Sequence, residues 1–190
     1  MLNDPIAQFE MWYRQRHKYG LQEPDACILA TSTNNKPSAR VVLLKWYDDA
    51  GFVFVTNYRS TKAKEISENS HVTLLFYWDK AGRQIKIQGY AKKATSFDSD
   101  AYFRSRPFLS RLASWCSNQS SPMSFKYQLI AKMIARLMSA RDTRKRPDFW
   151  GAYIVVPDTM EFFEHSAYRI NKRTEYKSKN GKLEKVYLYP

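Results

Sequence analysis

Apolar positions recur along this chain with two different periods, and the switches between them divide it into elements. From Asp4 to Gly20 the residues Ile6, Phe9 and Tyr13 fall at helical spacing. Asp4 suits an N-cap, Pro5 a first turn and Gly20 a stop, so a helix over about 4–19 is expected. Alternating and β-branched runs follow, separated by turn residues: "ACILATST", the turn "NNKP", "SARVVLLKWY", the turn "DDAG" and "FVFVTN". These read as short strands in hairpins. "STKAKEISEN" predicts a short helix capped by Ser60, with Lys62 and Glu65 near its first turns. "HVTLLFYW", the turn "DKAG" and "RQIKIQGYAKK" give another hairpin, in which Gln84, Lys86 and Gln88 alternate with Ile85 and Ile87. One face of that strand is polar and the other apolar.

The pattern then turns helical again. "SFDSDAYFRSR" predicts a helix that ends before Pro107. "SSPMSFKYQLIAKMIARLMSAR" predicts a long helix with Leu129, Ile130, Met133, Ile134, Leu137 and Met138 on its apolar side. The tail, about 151–190, returns to strands: "GAYIVV", "MEFFEH", "AYRINKR", the turn "KNGK" and "LEKVYLYP". Antiparallel hairpins with helices between them imply an α+β, mainly β chain. A closed or partly closed barrel with flanking helices is expected. With no internal repeat and no interdomain linker, 1–190 reads as a single domain.

Composition sharpens this picture at three points. Aromatic residues make up 15% of the chain, including 13 Tyr and 11 Phe, which favour strands. No apolar run is long enough for a membrane span, and "MLNDPIAQFEMWYRQRH" carries charge throughout with no apolar signal core, so a cytoplasmic protein is expected. The two cysteines, Cys27 and Cys116, and the three histidines show no metal-ligand spacing, so no metal is expected. The formal charge of +13 favours anionic partners without choosing among them. The dense run "RDTRKRPD" reads as a solvated loop in preference to a nucleic-acid patch.

Four stretches carry candidate chemistry. In "RVVLLK", Arg40 and Lys45 would face opposite sides of a regular strand, serving two sites or merely flanking a core strand. In "TNYRSTKA", a strand runs into a helix start, where free N–H groups, Thr56, Ser60, Thr61 and Lys62 would suit a monophosphate; a simply capped helix is the plain alternative. In "AYFRSRPFLS", Tyr102 and Arg106 share a helical face and Ser110 follows Pro107, a combination suited to a second phosphate. In "RINKR", an extended segment would point Arg169, Asn171 and Arg173 the same way, as a planar-anion site or as a solvated strand edge. No nucleophile–base arrangement and no paired acids stand out, so in an enzyme a cofactor would do the hard step.

Taken in order, "RVVLLKWYDDAGFVFVTN", "RSTKA", "LLFYW", "RQIKIQG", "YFRSRP", "WCSNQSS", "FWGAY" and "EFF…RINKR" resemble the pyridoxamine 5′-phosphate oxidase family along nearly the whole chain. The resemblance implies an FMN-binding split β-barrel and a homodimer with FMN at the subunit interface. It implies oxidation of pyridoxamine 5′-phosphate or pyridoxine 5′-phosphate to pyridoxal 5′-phosphate, with molecular oxygen as acceptor and hydrogen peroxide as product. It assigns Arg40, Val41, Val42, Leu43, Thr56, Ser60, Thr61, Lys62, Gln84, Phe163 and Arg173 to FMN. Gln119 and Ser120 would reach FMN from the partner subunit. Lys45, Tyr102, Arg106 and Ser110 match the substrate's phosphate clamp, and Arg169 and Asn171 fall at the catalytic, ring-facing side. This chain departs from the family pattern at Thr61 (usually basic), Phe163 (a tryptophan), Asn171 (a histidine), Lys172 (an aspartate) and Tyr187 (an arginine). Other readings are a sister FMN oxidase of the phenazine-biosynthesis type and a non-catalytic FMN- or pyridoxal-phosphate-binding protein. A nucleic-acid module has the charge but no motif, so neither nucleic acid nor membrane is expected as partner.

Overall fold

A computed structural model describes residues 4–125, 127–139, 142–179 and 182–190. The strands are β1 (Ala26–Thr33), β2 (Lys36–Leu43), β3 (Trp46–Asp48), β4 (Gly51–Asn57), β5 (His71–Trp78), β6 (Arg83–Lys93), β7 (Trp150–Glu164), β8 (Lys172–Lys179) and β9 (Lys182–Leu188). The helices are α1 (Pro5–Tyr13), α2 (Thr61–Glu68), α3 (Ser96–Ser105), α4 (Phe108–Cys116) and α5 (Gln128–Met138). All strand pairs are antiparallel, in the order β2-β1-β5-β6-β7-β4-β3, with β8 on β7 and β9 on β8.

Two features make this sheet a split barrel. β2 and β3 are the two ends of the strand order, yet only Leu44 and Lys45 separate them in sequence. The sheet therefore curls until its ends meet, and Lys45 sits at the seam, donating its backbone N–H to the Val53 carbonyl at 2.8 Å. The split comes from β7, which pairs with β4 over Trp150–Val155 and with β8 over Thr159–Glu164. Between these halves the register against β6 shifts at Gln88/Gly89. A Cβ at Gly89 would stand 1.9 Å from the Val156 carbonyl oxygen, so only glycine admits this approach.

The core lies inside the barrel under α1. Phe9, Trp12 and Tyr13 of α1 pack on Phe52, Phe76, Trp78, Phe162 and Tyr176. Phe9 stacks on Tyr13 and meets Tyr47, Phe52 and Phe76 edge-on. In β6, Ile85 and Ile87 are wholly buried while Gln84, Lys86 and Gln88 turn outward, as the alternation requires. Asn34 and Asn35 both adopt positive φ, which fits the two-residue β1–β2 hairpin.

The structure departs from the sequence reading in six places. The N-terminal helix stops at Tyr13 instead of running to 19, and a single 3-10 turn covers Arg16–Tyr19. Arg16 takes the Tyr13 carbonyl with its guanidinium at 3.0 Å, the acceptor the next helical turn would need. "SARVVLLKWY" is broken at the seam, so Arg40 and Lys45 do not share a strand. Helix α4 is an addition: Pro107 ends one helix and immediately precedes the next. The long helix contracts to α5, and none of its residues is buried; Ile130, Ile134, Leu137 and Met138 are exposed. The two strands "GAYIVV" and "MEFFEH" are one, β7. "AYRINKR" is not extended: Ala167–Arg169 form a 3-10 turn with Tyr168 at φ 56° and Arg169 at φ 60°, so Arg169, Asn171 and Arg173 do not line one strand face. The "KNGK" turn falls partly at 180 and 181, outside the described residues.

Candidate functional site

The start of α2 is built as an anion cradle. Strand β4 ends at Asn57 and the chain re-enters helix at Thr61, with Ser60 in extended backbone at the N-cap position and no side-chain cap bond. Ser60 and Lys62 are buried there, and Lys62 donates from Nζ to Thr56 Oγ1 at 3.3 Å. The Thr56 and Ser60 hydroxyls lie 3.4 Å apart. Burial, and then the charge of Arg40, push the Lys62 pKa down, against a smaller opposing pull from Glu65. A buried ammonium bonded to a hydroxyl, at a helix N-terminus, has the chemistry of a site for a dianionic phosphate.

Arg40 stands behind this cradle. It donates to Glu65 Oε2 at 2.6 Å, to Thr31 Oγ1 at 2.6 Å and to Ser38 Oγ at 2.5 Å. Glu65 is itself buried and accepts from Thr31 at 2.7 Å. Burial raises the Glu65 pKa, but these bonds and Arg40 outweigh it and hold the carboxyl below its ordinary range. The alternation of β2 splits its neighbours: Val42 enters the core, whereas Val41 is exposed on the opposite face and Leu43 is half-buried.

Gln119 and Ser120 join the cradle from the loop after α4. Gln119 Oε1 accepts from Thr56 Oγ1 at 3.0 Å and from the Asn57 N–H at 3.2 Å, and the Thr61 N–H donates to Ser120 Oγ at 3.3 Å. These contacts place Gln119 and Ser120 beside the α2 cradle of their own chain.

A second cationic group adjoins the first. Arg106 lies 4.8 Å over the Trp150 ring and donates to Ser114 Oγ at 2.6 Å. Tyr102 stacks parallel to Trp150 at 6.4 Å and meets Trp46 at 5.5 Å. Burial, then repulsion by Arg106, lowers the Lys45 pKa, with Asp25 and Glu23 opposing. Burial raises the Tyr102 phenol, which Arg106 partly offsets. Arg106 and Ser110 line a cleft of about 380 Å³ together with Thr56, Asn57, Gln119, Ser114 and Trp150. Thr56 and Gln119 of the first group and Arg106 and Ser110 of the second thus open on one space. Trp150, Ser114 and Glu65 were not singled out by the sequence reading. "FWGAY" marked Trp150 only as a family motif, and Glu65 sat on a helix with no visible partner.

The remaining assigned residues lie elsewhere. Gln84, Phe163 and Arg173 are directly opposed across β6, β7 and β8, so their side chains share one outward face. Arg173 donates from Nε to Glu161 Oε1 at 2.8 Å. Asn171 accepts the Ser166 N–H on Oδ1 at 3.2 Å, closing the 166–171 loop, and Arg169 is exposed on that loop. Asn171 and Arg173 line a groove of about 680 Å³ beneath α1, which Tyr187 also lines. Along β7, Gly151 pairs with Thr56 and Phe163 pairs with Arg173. Twelve residues of strand, up to ~40 Å of chain, separate those two rows.

Comparison with known proteins follows the same division. A family model described as pyridoxamine 5′-phosphate oxidase matches residues 13–139. A second, described as a pyridoxine 5′-phosphate oxidase C-terminal dimerisation region, matches 150–190. A pyridoxine/pyridoxamine 5′-phosphate oxidase of Vesicomyosocius okutanii subsp. Calyptogena okutanii (strain HA) is 44% identical, covering 99% of this chain and 89% of its own length. One from Rubrobacter xylanophilus is 42% identical, covering 98% and 87%. Among solved structures, PhzG from Burkholderia lata 383, in complex with tetrahydrophenazine-1-carboxylic acid, superposes with a TM-score of 0.93 at 28% identity, covering 100% of this chain and 94% of its own.

Proposed function

This chain belongs to the pyridoxamine 5′-phosphate oxidase family, and from that premise we propose that it is an FMN-dependent oxidase working as a homodimer with its sites shared between protomers. It converts pyridoxamine or pyridoxine 5′-phosphate to pyridoxal 5′-phosphate, with oxygen as acceptor and hydrogen peroxide as product. The observation that carries this reading is one cleft lined both by Thr56, which is bonded to the buried Lys62, and by Arg106, whose charge acts on Lys45. Two phosphates meeting in one site fit a phosphorylated cofactor beside a phosphorylated substrate. The clamp of Lys45, Tyr102, Arg106 and Ser110 favours that substrate over a ring without phosphate.

FMN, when bound, supplies the hydride acceptor that no side chain of this chain provides. Lys62, Ser60, Thr56 and the α2 N-terminus hold its phosphate, with Arg40 adding charge from behind. Lys45 and Arg106 hold the substrate phosphate, and the Trp150 ring fixes the plane of the Arg106 guanidinium. Gln84, Phe163 and Arg173 face the flavin, and Arg169 covers the substrate ring. The rows at Thr56 and at Arg173 stand toward opposite ends of β7, twelve residues apart. A second copy, related by two-fold symmetry, brings one chain's 167–173 segment to the other's cleft. The catalytic contribution of the chain is therefore orientation and electrostatics.

The test is direct. The purified protein is mixed with FMN, its flavin spectrum recorded, and peroxide followed after aerobic addition of pyridoxamine 5′-phosphate. A flavin spectrum with stoichiometric peroxide supports the reading; no flavin uptake, or uptake without turnover, contradicts it.

A further inference from the structure

Glu161 is an acid on the outward face of the sheet, yet only 3% of it is exposed. Two cations from the flanking strands enclose it. Lys86, directly opposite on β6, places Nζ 2.6 Å from Oε2. Arg173, diagonally across on β8, places both Nε and its NH2 nitrogen 2.8 Å from Oε1. The remaining terminal nitrogen of Arg173 donates to the Tyr189 carbonyl at 2.9 Å, so this guanidinium is held at two ends. The next pair on the same face of the ladder is Gln84 opposite Phe163. Burial alone would raise the Glu161 pKa, but the bonds and charges of Lys86 and Arg173 bring it below the ordinary carboxylate range. The carboxylate is therefore ionised at neutral pH, and the three groups together carry a single positive charge.

We infer that Glu161 is the positioning residue of the flavin-facing half-site: it fixes Arg173 and Lys86 beside Phe163 and Gln84 and offsets one of their two positive charges. The inference rests on the reading that Gln84, Phe163 and Arg173 face FMN. A carboxylate that merely pinned β8 to the sheet would have no reason to influence a bound redox group. One that sets the charge next to it must do so, because a nearby cation stabilises the electron-rich reduced form and an anion opposes it.

The experiment uses the FMN-loaded dimer. The midpoint potential of bound FMN is measured by spectroelectrochemistry, and its dissociation constant by flavin fluorescence, in the unaltered protein, E161Q, E161D and K86Q. Glu161→Gln adds one net positive charge and moves the potential upward; Lys86→Gln removes one and moves it downward. E161Q also weakens FMN binding about tenfold through loss of the aligned guanidinium. Glu161→Asp, which keeps the charge, returns the potential towards that of the unaltered protein. Shifts of the same sign in E161Q and K86Q, or none in either, overturn the inference. If E161Q does not fold, K86Q alone decides, since its partly exposed side chain is replaced without emptying the sheet; an unchanged potential then overturns it. Failure of the unaltered protein to bind FMN overturns the cofactor reading itself, and this inference with it.

Discussion

The cradle at α2 and the turn before β8 each present a cationic side chain, Lys62 and Arg169, in opposite settings. At the cradle, Thr56, Ser60 and Lys62 are buried, and the backbone that carries them is ordinary strand and helix. Before β8, Tyr168 is 94% exposed, Ile170 is 69% exposed, and two successive non-glycine residues hold left-handed backbone. The cradle's hydrogen bonds close within its own chain. The turn projects apolar and cationic groups into solvent at a conformational cost of about 1–2 kcal/mol per left-handed residue, which a surface with no further contact does not repay. A half-site finished in one protomer and a half-site offered to another is what a shared two-fold site requires. Each half nevertheless uses one device: an arginine fixed by a buried glutamate, Arg40 by Glu65 and Arg173 by Glu161.

The largest expected effect breaks the cradle. Lys62→Met leaves a phosphate without its buried ammonium and should weaken FMN binding about 100-fold, from the roughly 3 kcal/mol of a charged hydrogen bond; fluorescence titration reads it, and retained affinity would remove Lys62 from the site. Next, Arg106→Ala should raise the KM for pyridoxamine 5′-phosphate at least tenfold while leaving the FMN dissociation constant nearly unchanged. Equal damage to both would merge the two cationic groups into one.

A third prediction concerns pH. The folded-state pKa of Glu65 and Glu161 lies below the ordinary 4.5. Each therefore contributes stability that is complete above about that value and is lost as pH falls through the folded-state pKa. Denaturant melts from pH 6 to pH 3 should show a shallower acid loss for Glu65→Gln than for the unaltered protein; an identical loss would mean the pair with Arg40 adds nothing. Lys45 acts at the other end of the scale. Its lowered pKa means the clamp loses a positive charge at a lower pH than an ordinary lysine would impose, so KM should climb on the alkaline side. The smallest effect is expected at Asn171, whose amide oxygen caps its own loop. Asn171→Ala should lower Tm by a few degrees, from loss of about 1 kcal/mol, and leave kcat within about threefold. A far larger fall in kcat at unchanged Tm would return Asn171 to the chemistry.

What was legible in the sequence follows from these settings. Strands such as β6 declare themselves because one face meets the core and the other meets polar surroundings, and Ile85 and Ile87 record that directly. The hydroxyls and cations of the cradle were legible because a strand-to-helix junction is a local event. The extent of α5 was not, because an apolar stripe specifies amphipathicity without specifying what covers it. Helix α4 was hidden by Pro107, which was read only as a stop although proline serves equally well just ahead of a helix. The bend at Tyr168 and Arg169 carries no glycine to announce it. Glu65 found its arginine from helix to strand and Glu161 across strands, 25 and 12 residues away, where no local pattern reaches.

The central claim is that each site takes its cradle from one chain and its 167–173 segment from the other. Co-expression of R106A and R173A chains tests it most directly. Assayed at substrate well below the KM, each variant alone is impaired at both of its sites, but a mixed dimer rebuilds one intact site from the two undamaged halves. With random pairing, half the dimers are mixed and the preparation should recover about a quarter of unaltered activity per protomer. Activity no greater than that of the separate variants would place both halves of each site in a single chain and contradict the account.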